Sequence, residues 1–306
     1  MRLLWLMREP APGMLACARR VLPTLAERGV SAEIVDAAHW MPKETGNQVD
    51  REVSARLTET ASRYDFVHAW GYRPAWACAE ALPKRTRWWT TVVDPPRTRH
   101  PALIDRLNRS RLTMTFSAPV RAALFDAGVS PVARLAPGIE LPEPMDKLFA
   151  RKELGLPADA AIAFAAPSRD GSELTSIADA MSRVRERVPN ALLLGPDENM
   201  SIPMALAASD VIVINRPSAG FSVLALEAMA ASRTCLFRSG NLNFMADHMI
   251  SGLFFHSEEA LADSLAGALQ MRIGLEAMGS AARVIAHDQY SLEAFADGLI
   301  RAYNGP

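Results

Sequence analysis

The sequence predicts an α/β protein built from two Rossmann-like, doubly wound parallel-sheet domains, and three observations carry that expectation. Its 306 residues exceed one average domain and suit two of roughly 150. Hydrophobic residues make up 49% and charged residues 22%, which supplies two cores and excludes a disordered chain. Short apolar runs alternate with longer amphipathic stretches, the rhythm of strand–helix–strand units.

The elements follow in order. Residues 3–7 read as a buried strand, 8–13 as its loop, and 14–28 as a helix closing at Gly29. Strands are expected at 32–35, 66–68 and 88–93, with a helix at 51–63 before the second of these. Residues 110–143 run strand, helix, strand, and then reach Pro142 and Pro144, which mark a linker. The pattern restarts with a strand at 161–165, a helix at 174–188 and a strand at 191–194. Helices over 258–269 and 290–303 complete the chain, and the domain boundary is expected at about Glu143.

The totals limit the function. A net charge of −1 gives no global attraction to nucleic acid, and no nucleic-acid module is present. Cys17, Cys78 and Cys235 are far apart and lack metal-ligand spacing, so they read as small buried residues in a reducing compartment and no metal site is expected. The apolar start MRLLWLM is too short for a signal peptide, and no run approaches the roughly 20 apolar residues that span a bilayer. A cytoplasmic location is the expectation.

The stretch with chemistry is 209–230, SDVIVINRPSAGFSVLALEAMA. Residues 211–214 are long enough for one buried strand, the Pro217-Ser218-Ala219-Gly220 segment breaks it, and an Ala- and Leu-rich helix follows. Ser222 is placed as an N-cap, and the amides of Gly220, Phe221 and Ser222 point towards an anion outside the sheet's carboxyl edge, a position that suits phosphate. Glu227 interrupts an otherwise apolar helix. Such a carboxylate either reaches solvent or finds donors, because burying it unpaired is costly, and the two hydroxyls of a ribose are such donors.

This segment resembles the donor-site signature of retaining GT-B glycosyltransferases of the family-four kind, in which Pro-Ser, a spacer and Leu-Glu-Ala-Met-Ala sit on strand, turn and helix. Residues 239–255, SGNLNFMADHMISGLFF, resemble the family's next segment, and 110–143 resemble the end of its first domain. The resemblance implies a cytoplasmic transferase that takes a sugar from a nucleotide-sugar donor, without metal or cofactor, in a cleft between domains 1–143 and 144–289. It also implies that helix 290–306 packs back on the first domain. Between Gly195 and Ser209 the chain is about one βα unit shorter than the family.

Several family positions are altered. The cationic loop after the first strand of the second domain carries Pro167 and Ser172 where the family has Arg and Lys, and Arg169 lies two residues away. Ala219 stands where a sugar-contacting Glu is usual, and Arg216 is a substitute cation from the other side of the site. Val93 replaces a common His, Asp94 remains, and His68 matches a family strand end, so His68 and Asp94 join Arg169 and Arg216 as catalytic candidates. Lost charge-stabilising groups typically cost a hundred- to a thousandfold in rate each. A rival reading is therefore a catalytically degenerate scaffold that partners an active glycosyltransferase. Finally, residues 81–121 hold nine Lys and Arg against Asp94 and Asp105, with Trp88 and Trp89 among them. That balance suits an anionic membrane surface or a lipid-phosphate acceptor, and sets against it the plainer reading of scattered surface arginines.

Overall fold

The computed structural model describes the chain except residues 9–11, 37–50, 96–100, 166–171, 196–200, 217–219, 241 and 306. It divides into two compact units, Met1–Gly138 with Leu292–Pro306, and Ile139–Ser291.

The first unit carries β1 (Arg2–Met7), α1 (Pro12–Glu27), β2 (Ser31–Asp36), α2 (Arg51–Ala61), β3 (Phe66–Trp70), α3 (Tyr72–Ala81), β4 (Trp88–Thr91), α4 (Pro101–Leu107), β5 (Thr113–Thr115), α5 (Ala118–Asp126) and β6 (Val132–Arg134). Its strands are all parallel in the order β2-β1-β3-β4-β5-β6. Parallel strands need crossovers that cover the sheet's faces, and the central strands β1, β3 and β4 are buried almost throughout while the edge strands β2 and β6 are not. On one face Leu4, Leu6, Val67, Ala69 and Trp88 pack with Leu57, Cys78, Leu107 and Leu124 from the helices.

The second unit carries α6 (Lys147–Glu153), β7 (Ala161–Ala165), α7 (Ser172–Arg187), β8 (Ala191–Leu194), α8 (Ile202–Ala208), β9 (Val211–Ile214), α9 (Val223–Ala230), β10 (Thr234–Arg238), β11 (Leu253–Phe255), α10 (Glu258–Gln270) and α11 (Arg272–Tyr290). Its five parallel strands run β11-β10-β9-β7-β8. Ala163, Val211, Val213 and Leu236 face Ile177, Met181, Leu261 and Leu265, so α7 and α10 share one face of this sheet.

Between β8 and β9 the chain forms one helix, α8, capped by Ser201, which accepts a hydrogen bond from the Met204 amide at 3.3 Å. Two details differ from the sequence expectation. A helix the sequence reading did not assign, α11, precedes the expected terminal helix, which is α12 (Leu292–Asn304), and the extended Ser291 separates the two. Ile139 donates to the Tyr290 carbonyl at 2.8 Å and bridges to Ser291, so Ile139, and with it the expected exit at Glu143, lies inside the second unit.

In the first unit α12 completes the face of the sheet opposite α2 and α3. Arg28 of α1 pairs with Asp297 at 3.0 Å, Phe116 meets Phe295 edge-on, and the Trp89 indole N–H donates to the Ala302 carbonyl at 3.0 Å.

Candidate functional site

In the second sheet the chain leaves β7 towards β8 on one side, while β9 continues to β10 on the other. The carboxyl ends of β7 and β9 therefore flank a topological switch point, where open α/β sheets form a crevice for ligands. β9 is four fully buried apolar residues that end at the buried Asn215. Ser222, in an extended conformation, accepts a hydrogen bond from the Ala225 amide at 3.2 Å and starts α9.

That cap fixes which amides are open. Helices leave their first amides without intrahelical partners. With Ala225 taken by the cap, the amides at this helix start that donate to no described residue are Ser222, Val223 and Leu224. Gly220 is buried before the cap. Ala225, Leu226, Ala228, Met229 and Ala230 are buried, whereas Val223, Leu224 and Glu227 are half-buried. Spacings of three and four residues place those last three on one helix face, so Glu227 shares its side with the open helix end. Arg216 is half-buried two residues beyond β9. Arg169, Pro167 and Ala219 lie outside the described residues.

A polar cluster that sequence reasoning did not name lies at the same edge. Glu258, in the first turn of α10, accepts hydrogen bonds from Ser176 of α7 at 2.7 Å, from Arg238 Nη1 at 2.5 Å and from Asn215 Nδ2 at 3.3 Å. Arg238 Nη1 also reaches Asn215 Oδ1 at 3.5 Å. The signal in the sequence is slight: an Arg ending the apolar run TCLFR, and a Glu just after the Ser257 cap.

The opposite edge of the sheet holds charges that satisfy one another. Arg151 donates to Asp210 at 2.8 Å and to the carbonyls of Ala208 and Ala158, while Asp210 also takes Lys147 at 3.1 Å and the Ile162 amide at 2.7 Å. A buried pair with all its partners in place is a staple for the fold rather than a site.

The first unit corrects two expectations. His68 is fully buried, its Nδ1 lies 2.7 Å from the Tyr303 hydroxyl and its Nε2 2.9 Å from the Thr91 hydroxyl, and its ring stacks on Trp70. Burial pulls its pKa down to about 3. With both nitrogens engaged inside the core, His68 is a packing residue and reaches no ligand. Trp88 and Trp89 are buried in β4, so they do not interleave with the basic residues on a surface. Arg106 is committed to Glu80 at 2.5 Å and to the face of Trp76, while Arg97 and Arg99 lie outside the described residues. Asp94 is exposed past the end of β4, and its carbonyl accepts from the Tyr72 hydroxyl at 2.6 Å. Among the described residues no three His, Cys, Asp or Glu side chains gather as a metal set, and no helix is long and apolar enough to cross a membrane. All three cysteines are buried, and burial pushes the thiols of Cys78 and Cys235 up.

No family model and no curated protein matches the sequence. Solved structures match over essentially the whole chain. HepE of Anabaena, in complex with UDP and glucose, aligns at a TM-score of 0.76 and 15% identity, covering 100% of both chains. A glycosyltransferase from Rickettsia africae aligns at 0.77 and 16%, covering 99% of this chain and 97% of that one. WaaG, a glycosyltransferase involved in lipopolysaccharide biosynthesis, aligns at 0.72 and 16%, covering 100% of both. Two parallel sheets with flanking helices, matched at this level by glycosyltransferase structures, give the chain the GT-B fold.

Proposed function

We propose that the chain binds a nucleotide sugar at the carboxyl edge of its second sheet and transfers the sugar, with retention, to an acceptor. The observation that carries this reading is the shared face of α9: open amides at Ser222, Val223 and Leu224, and Glu227 one turn further on. A helix N-terminus favours the diphosphate, whose negative charge grows as the glycosidic bond breaks, and amides fixed by the Ser222 cap stabilise that charge without reorganising. Glu227, half-buried on the same helix face, accepts from two ribose hydroxyls. Gly220 and Phe221 shape the approach to these amides. Arg216 and Arg169 remain proposed sources of further positive charge, and Asp94 the proposed acceptor-side carboxylate of the first unit. The bound UDP and glucose of HepE support the ligand class.

Calorimetry with UDP-, ADP- and GDP-sugars tests this. We expect binding of at least one member, weakened at least tenfold by Glu227→Ala. Absence of binding across the panel overturns the reading. Pro167, Ser172 and Ala219 at altered positions favour a second reading, a scaffold that binds the donor and partners an active transferase. Binding with no sugar release or transfer by the isolated chain would select it.

A further inference from the structure

We propose that Arg238 is a diphosphate-binding residue of this site, with Glu258 and Asn215 as the residues that position it. The inference rests on the nucleotide-sugar reading and deepens it.

The placement comes from strand register. Phe237 pairs with Ile214 in the parallel β9–β10 ladder, so Arg238 stands beside Asn215 at the carboxyl edge, one strand spacing from the loop that leads into α9. The alternation of side chains puts Arg238 and Asn215 on the same face as Leu236 and Val213, the face covered by α7 and α10. The α9 helix end lies on the other side of that edge, so a diphosphate seated across it meets open amides on one flank and this guanidinium on the other.

The cluster leaves part of the guanidinium unused. Glu258 and Asn215 both hold it through Nη1, and Nε and Nη2 make no hydrogen bond to a described residue. The side chain is 28% exposed. Three donors in a planar fork are therefore available, which is the geometry that suits phosphate oxygens. Glu258 is itself fixed by Ser176 and Asn215, so the guanidinium is oriented before a ligand arrives and loses less freedom on binding. A plain staple between α10 and β10 would explain the Glu258 contact alone. It does not account for an Arg held by one nitrogen at the edge where a phosphate is expected.

The test separates phosphate from nucleoside. Uridine, adenosine and guanosine, each alongside its 5′-diphosphate, are titrated into the full chain and into Arg238→Gln, Arg238→Lys, Glu258→Gln and Glu227→Ala, with thermal melts to confirm folding. We expect Arg238→Gln to weaken the diphosphate by about 10- to 100-fold, the size of a charge-assisted contact, while the nucleoside changes by less than about twofold. Glu258→Gln should lower the same diphosphate-to-nucleoside ratio by several-fold, and Arg238→Lys, which keeps the charge, should retain part of it. Equal losses for nucleoside and diphosphate, or none for either, overturn the inference. If Arg238→Gln does not fold, Arg238→Lys and Glu258→Gln decide by the same ratio. Should Glu227→Ala weaken binding while the Arg238 variants do not, only this inference falls; should no nucleotide bind the native chain, the site reading falls with it.

Discussion

His68 shows how a residue that reads as chemistry becomes architecture. It lies in a layer of Trp5, Trp70, Trp89 and Tyr303 rings, and its hydroxyl partners come from residues 23 and 235 positions away. Nothing local to HAW marks those partners, so a strand-end His looked available. Its buried state predicts a pH effect. The folded pKa of about 3 is below the ordinary 6.5, so between these values the unfolded chain binds a proton that the folded chain does not. Its stabilisation is complete above pH 6.5 and declines as pH falls, by up to about 1.4 kcal/mol per unit. All six tryptophans belong to the first unit, so denaturant midpoints read by their fluorescence at pH 7, 6 and 5 report that unit. The native chain should lose stability more steeply than His68→Gln, and parallel slopes would remove the assignment.

Among elements, the strand–turn–helix around 211–230 was legible because its apolar run, Pro-containing break, Ser cap and Ala-rich helix are all local patterns. α3 and α8 were not assigned from sequence; Pro74 and Pro203 lie in their first turns, where a missing N–H costs little. α11 was missed altogether, and its packing carries a prediction. A Cβ on Gly279 would meet the Ser232 carbonyl oxygen inside van der Waals contact, and Ser232 sits in the left-handed turn that follows α9. Neither backbone yields easily. Gly279→Ala should therefore cost about 1–3 kcal/mol, measured as a lowered unfolding midpoint of the second unit by far-UV circular dichroism. A midpoint within experimental error of the native chain would show that α11 is free to shift.

For the whole molecule, the final helix is counted with the unit the chain began in. α12 gives the first unit the buried side chains of Phe295, Leu299 and Tyr303, together with the Asp297 partner of Arg28. Removing residues 292–306 should expose that apolar face and cost several kcal/mol, abolishing a cooperative tryptophan-detected transition in the first unit. An unchanged transition would mean that α12 is dispensable to that core. The sequence by itself determined the alternation of strands and helices, the two-part organisation and the position of the capped helix with Glu227, because each is written in periodicity and turn chemistry over a few residues. Only the tertiary structure decided that His68 is core, that Trp88 and Trp89 face inward, and that Asn215, Arg238, Ser176 and Glu258 form one cluster. Those outcomes depend on strand order and register, which bring distant residues within hydrogen-bond reach and leave no trace in local pattern.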